Sequence, residues 1–441
     1  MATEFIKRRE ALTQQLPPAS VAIVFSNQSI YRNADTEYPF RQDSNFWYLT
    51  GFNEPQALLL IRKDAQGNLE EYLYTQLAHA KKDVWSGKRP TVEETSRITG
   101  IAHVKEWDTF DQDLVRLFQG CTTCYFDIDG KSYVKERKRV LGILADADRH
   151  GVGAAIMSIH KLAPLLARLR MYKSESEIRL MKKAAQISIH AHKCAVASLR
   201  SHVKEINKFY EYQLAADIVY AFTKAGANWA YLPIVAGGNN ACTLHYTKNN
   251  AVLLTEDLCL IDAGAECDYY AADITRCYPI SGTFSPIQKD IYEIVLQAQL
   301  TAIEEINKAD ATMLSIHMAA VKVLVAGLID LKVLKGSIEE NVAQKAYGDF
   351  FMHGTGHFLG LDVHDAAIYK DTNGRPVVLT EGMVVTVEPG LYFPKENDSL
   401  PEELRGIGIR IEDDIVKTAS GIDILTQDLP KNVVDIEKMF M

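Results

Sequence analysis

The chain has 441 residues, enough for two or three domains that each bury a core of their own. Hydrophobic residues make up 47% and charged residues 24%, the ordinary balance of a soluble globular protein. A formal net charge of −9, with no Lys/Arg-rich run or basic stripe, argues against nucleic acid as a partner.

In chain order, the opening MATEFIKRREALTQQL has the pattern of a charged amphipathic helix. The first apolar run, Val21 to Phe25, falls far short of the ~20 residues of a membrane span, so a cytoplasmic protein with no membrane partner is expected. Residues 1–170 alternate helical stretches with strand-like runs at Val21–Ser26, Ala57–Arg62, Glu71–Tyr74 and Cys124–Ile128, which predicts a smaller α/β domain. Cys121-Thr-Thr-Cys124 leads into the last of these strands, whereas redox-active pairs of that spacing open a helix, so it is read as structural. Seven scattered cysteines, an odd number, indicate reduced thiols rather than a disulfide framework.

Near residue 172 the texture changes, dividing the chain into domains 1–172 and 173–441. Ser174-x-x-Glu177 is a capping box ahead of a helix with Ile178, Met181, Ala185, Ile189 and Val196 on one stripe. Ser285-Pro286-x-Gln288 opens a second helix with proline in its first turn. Beyond these, four acids stand inside apolar runs that read as strands: Asp262, Asp273, Glu388 and Glu412. Alternation puts Arg410 on the face of Glu412, and Thr386 on that of Glu388. An acid in such a run either faces solvent or has a partner that compensates its burial. One such acid is unremarkable, but four with a histidine-rich turn among them suggest a site. Four carboxylates carry −4 and two divalent cations +4, so a dinuclear metal site fits better than a single ion.

The turn is Phe351-Met-His353-Gly-Thr-Gly-His357-Phe-Leu-Gly-Leu-Asp-Val-His364-Asp365. Two glycines and the lack of a glutamate after His353 exclude a helical H-E-x-x-H zinc motif. His245 follows the glycine-rich turn at Gly237 and joins the candidates. His79, His103, His150, His160, His190, His192, His202 and His317 have no such setting and are read as surface or structural.

The strings LIDAG, DITR, HGTGHFLGLDVHD, TVEPGLY and GIGIRIEDD resemble those of the pita-bread metallopeptidases. Residues 35–55, DTEYPFRQDSNFWYLTGFNEP, resemble the aminopeptidase P family. The resemblance implies an α+β chain: a C-terminal pita-bread catalytic domain behind a creatinase/prolidase-like α/β domain used for oligomerisation and as a lid. It implies five metal ligands, with Asp273 and Glu412 bridging two ions, Asp262 on one, and His357 and Glu388 on the other. An oxygen-rich set with one imidazole suits two Mn²⁺. By the same resemblance, Glu388 shuttles a proton, His364 stabilises the oxyanion, and His353, His245 and Tyr369 contact substrate. Arg410 and Tyr392 support Asp262, and Asp35 and Trp85 approach from the N-terminal domain, Trp85 from a neighbouring subunit. The implied enzyme is a homotetrameric aminopeptidase that cleaves an N-terminal residue from a following proline by means of a water activated between the two ions. Its nearest rival is a prolidase, restricted to dipeptides. A silent or metal-free relative would lack a ligand, and none is missing.

Overall fold

In the computed structural model, which describes residues 2–78, 83–84, 87–128, 133–149, 156–202 and 208–441, the chain divides into units Met1–Leu169 and Arg170–Met441. The first unit opens with helix α1 (Ala2–Gln15), tethered by Arg9, which donates to the carbonyls of Leu49 and Thr99 and pairs with Glu71 at 2.9 Å. Its sheet contains β1 (Ser20–Phe25), β2 (Leu58–Lys63), β3 (Leu69–Thr75), β4 (His103–Glu106), β5 (Thr123–Tyr125) and β6 (Ser158–His160), in the order β4-β3-β2-β1-β5-β6. β1 lies centrally, antiparallel to β2 and parallel to β5, and is buried on both faces, which is why its sequence is continuously apolar. β5 ends sooner than its apolar run suggests, and beyond it Asp127 accepts a hydrogen bond from the Ala163 amide at 3.1 Å. Cys121 and Cys124 are buried free thiols, both pushed up by burial and so unreactive. Asp35 sits exposed in the turn of a hairpin, Tyr31–Asn33 with Thr36–Glu37. Trp85, His79 and His150 lie outside the described residues.

In the second unit, α2 (Glu175–His202) begins at its capping box: the Ser174 amide donates to Glu177 Oε2 at 2.8 Å, and the Glu177 amide to Ser174 Oγ at 3.4 Å. Next come α3 (Glu211–Lys224) and the antiparallel strands β7 (Ile234–Gly237), β8 (Leu258–Asp262) and β9 (Thr275–Pro279), paired in that order. α4 (Pro286–Ile306) is capped reciprocally by Ser285 and Gln288. α5 (Met313–Asp330) is long and apolar enough to cross a membrane, but it packs on α4 and buries Ile316, Val321, Leu324 and Leu328 in the core. The helices approach so closely at Gly327 that a Cβ there would lie 2.3 Å from Ile294 Cγ2. The chain closes with β10 (Val384–Val387), β11 (Gly390–Phe393), β12 (Ile407–Arg410), β13 (Asp413–Thr418) and β14 (Gly421–Ile424); β10 pairs with β13, and β11 with β12.

The four acids expected inside strands are placed differently. Only Asp262 belongs to one, as the last residue of β8. Asp273 precedes β9, Glu388 lies between β10 and β11, and Glu412 between β12 and β13. The backbone stays tied across these breaks: the Glu412 amide donates to Thr275 O at 3.1 Å and the Glu388 amide to Thr355 O at 2.8 Å. A short break in a ladder re-aims a side chain without releasing the strand, as a bulge does.

Candidate metal centre

These breaks gather the acids at one cavity of about 890 Å³, lined by every site residue singled out from this unit's sequence except Tyr392. Donor atoms of Asp273, His357 and Glu412 all lie within 4.8 Å of one another. His357 Nε2 is 3.4 Å from Asp273 Oδ2 and 3.6 Å from Glu388 Oε1, and His353 Nδ1 is 3.6 Å from Glu388 Oε2. The rings of His357 and His364 are 4.3 Å apart. Tyr369 receives the Phe358 amide at 3.3 Å, and His245 lines the same cavity from the loop that precedes β8.

Behind the acids, Arg410 reaches three elements. It donates to Asp262 Oδ2 at 2.6 Å, to Thr275 Oγ1 at 3.2 Å and to the Tyr392 hydroxyl at 3.1 Å. Thr275 in turn donates to Glu412 Oε2 at 2.7 Å, and His353 Nε2 meets the Tyr392 hydroxyl at 2.8 Å. The HGTGH turn is held from two sides. Thr386 Oγ1 receives the His357 amide at 3.0 Å, and His317 Nδ1 meets Thr355 Oγ1 at 2.9 Å. A Cβ on Gly356 would lie 2.0 Å from Thr386 O, so no other residue fits there.

Tyr231 has no counterpart among the residues singled out in the sequence. Its hydroxyl lies against Asp262 Oδ1 at 2.5 Å and against Asp273 Oδ1. Nothing local marks it, because its partners are 31 and 42 residues away. His317, set aside with the other histidines, stands behind the turn. Among the rest, His103 stacks on Tyr72, His160 on Tyr125 and His202 on Phe209, while His192 is buried between Tyr278 and Ala263 O.

The electrostatics are those of crowded acids. Burial raises Asp262 against the pull of Arg410, raises Glu388 to about 7, and raises Glu412 well above the ordinary range with Asp273 adding to the push. Burial alone would lower His357, but Asp273 and Glu388 outweigh it and lift the ring to about 9. His353, by contrast, is driven down to about 3 by burial and Arg410, and His364 is lowered by burial and His357. One phenolic proton on Tyr231 serves one carboxylate at a time, so where Asp262 and Asp273 meet across it their charge is offset from outside, by Arg410 at Asp262 and by His357 at Asp273. The residues fit divalent cations: hard oxygen donors and an imidazole converge, with negative charge that one arginine does not balance.

The model of metallopeptidase family M24 matches residues 179–419, and that of the aminopeptidase P N-terminal domain matches residues 5–125. The chain is 37% identical over 440 residues to the Xaa-Pro aminopeptidase of Escherichia coli (strain K12), covering 99% of this chain and 97% of that one. Its structure is similar to proline aminopeptidase P II from Yersinia pestis, with a TM-score of 0.92, 37% identity, and coverage of 100% of this chain and 99% of that one. It is equally similar to aminopeptidase P from E. coli solved with the inhibitor Pro-Leu, at a TM-score of 0.92 and 37% identity, covering 100% of this chain and 98% of that one. The chain therefore belongs to metallopeptidase family M24, as a pita-bread catalytic domain preceded by an aminopeptidase P N-terminal domain.

Proposed function

We propose that the chain is a metal-dependent aminopeptidase that hydrolyses the bond between an N-terminal residue and a following proline. The observation that carries this reading is the convergence of four carboxylates and His357 on one cavity beside His353 and His364. Asp262, Asp273, His357, Glu388 and Glu412 would hold two divalent ions, with Mn²⁺ favoured by the oxygen-rich donor set. Bound there, the ions supply Lewis-acid polarisation of the scissile carbonyl and activation of water near neutral pH.

The remaining chemistry falls to side chains. His364, kept neutral by burial, donates its ring N–H to the oxygen of the carbonyl under attack. Glu388 takes the proton of the attacking water and passes it to the departing proline nitrogen. Arg410, held by Tyr392 and Thr275, fixes the orientation of Asp262. His353, His245 and Tyr369 line the space for the peptide. A bond to proline is a tertiary amide with no N–H, so a peptidase that needs that donor fails on it. Here the carbonyl is gripped instead, and no amide donor is required.

A peptide panel tests this. Arg-Pro-Pro is expected to release arginine fast, Arg-Ala-Pro and acetyl-Arg-Pro-Pro little, and Arg-Pro slowly. Preference for the dipeptide would indicate a prolidase, and equal rates on the alanine peptide would remove proline specificity.

We also propose a cytoplasmic homotetramer in which Asp35 and Trp85 of the N-terminal domain contribute to substrate binding. Seven free cysteines support the reducing compartment. Metal analysis and light scattering on one preparation test the ions and the assembly. Full activity at the 49.3 kDa monomer mass would overturn the tetramer, and activity after exhaustive chelation would overturn the metal.

A further inference from the structure

Part of the cavity wall belongs to a loop running from Gly237 to Ala251. It presents Leu244, His245 and Thr247 to the cavity. The loop has little regular structure beyond one short helical turn, Gly238–Cys242, so something other than a strand ladder must hold it. That anchor is a carboxylate. Glu211, the first residue of α3, is fully buried. Its Oε1 accepts the Gly237 amide at 2.9 Å and Asn240 Nδ2 at 2.8 Å. Its Oε2 accepts the Tyr246 hydroxyl at 2.8 Å and the Ala251 amide at 2.8 Å. Both ends of the loop and two side chains within it thus converge on one group.

We propose that Glu211 is a positioning residue for catalysis, holding His245 at the substrate through the Tyr246 hydroxyl and the two ends of this loop. The proposal rests on the reading of His245 as a substrate contact. Its physical basis is the match of four donors to a group that only accepts. Among the described residues no cation pairs with Glu211, so the loop's own N–H and O–H groups compensate its charge, and bonds to an ionised acceptor are the stronger kind. His245 is exposed and Tyr246 buried, so the backbone between them turns one side chain to the cavity while the other is pinned. Glutamine at 211 would present an NH₂ where two donors already point, and half of the anchor would be lost.

The test is a double-mutant cycle on the metal-loaded protein, with Arg-Pro-Pro as substrate. Tyr246→Phe removes one bond of the anchor, and Glu211→Gln disturbs the whole. Each is expected to lower kcat/KM by about 10–100-fold, with metal content unchanged. In the His245→Ala background, both are expected to have little further effect, since the group they position is gone. A merely structural role would give the same loss in both backgrounds, or a loss of bound metal, and either result overturns the proposal. If His245→Ala alone keeps wild-type kcat/KM, the reading of His245 fails and the proposal falls with it, a result distinct from additive losses. Should Glu211→Gln fail to fold, Tyr246→Phe still closes the cycle.

Discussion

Replacing Glu412 with glutamine is expected to lower turnover by about a thousandfold or more while leaving the fold intact. The side chain is buried, and its Oε2 accepts from Thr275 Oγ1 at 2.7 Å. Glutamine has the same shape and its carbonyl oxygen can keep that bond, so packing is preserved. What disappears is the charge, in a cluster whose two partner cations among the described residues face other acids: Arg410 pairs with Asp262, and His357 lies nearest Asp273 and Glu388. Fewer ions should therefore be bound, and the scissile carbonyl should lose its main source of polarisation. Without metal the variant should melt no lower than the parent, because an acid that burial and Asp273 push up is costly to keep ionised. Asp273→Asn should behave in the same way. Metal analysis, steady-state rates and thermal denaturation read the three effects separately. A Glu412→Gln enzyme with normal activity and full metal content would overturn the assignment of the centre.

The largest effect on stability is expected from Asp365→Asn. Asp365 follows His364, and its carboxylate is fully buried between Arg170 and Lys173, the latter at 3.0 Å. Removing its charge leaves the buried Lys173 ammonium without a counter-ion and Arg170 with Asp362 alone, 2.7 Å away, at a cost of about 3–5 kcal/mol. Burial alone would raise this acid, but Lys173 and Arg170 outweigh it and hold the carboxyl below its ordinary value. The folded pKa is thus below the unfolded one. The contribution of the charge is complete above the unfolded pKa of about 4, and is lost as pH falls through the folded value. Urea denaturation should show the wild type ahead of Asp365→Asn by the full amount at neutral pH, with the gap narrowing in acid. A gap that widens on acidification would contradict the ion-pair account. The substitution should also lower activity, since the same triad anchors the loop that carries His364.

Much of the architecture could be read locally. The capping boxes at Ser174 and Ser285 depend on residues three apart, and both form. The continuous apolar run of β1 announces a strand covered on both faces. The acids at 262, 273, 388 and 412 stood out because a carboxylate in an apolar run is an anomaly that burial would punish. With the HGTGH segment, they also carried the family resemblance that the comparisons established.

Other features were decided only by the tertiary structure. Three of those acids lie in breaks between strands, not within them, because alternation shows which side chains share a face but not where a ladder must open. Tyr231 reaches Asp262 and Asp273, Arg410 reaches Asp262 across 148 residues, and His317 backs the turn from a distant helix. Glu211 looks in sequence like any acid in a helix's first turn, where it would be solvated and favoured by the dipole. It is buried only because a loop of later residues folds over it and supplies four donors. A periodic pattern records which face of one element is covered, and a strained charge marks its own position. The partner that satisfies that charge belongs to another element, and only the folded chain brings the two within hydrogen-bonding reach.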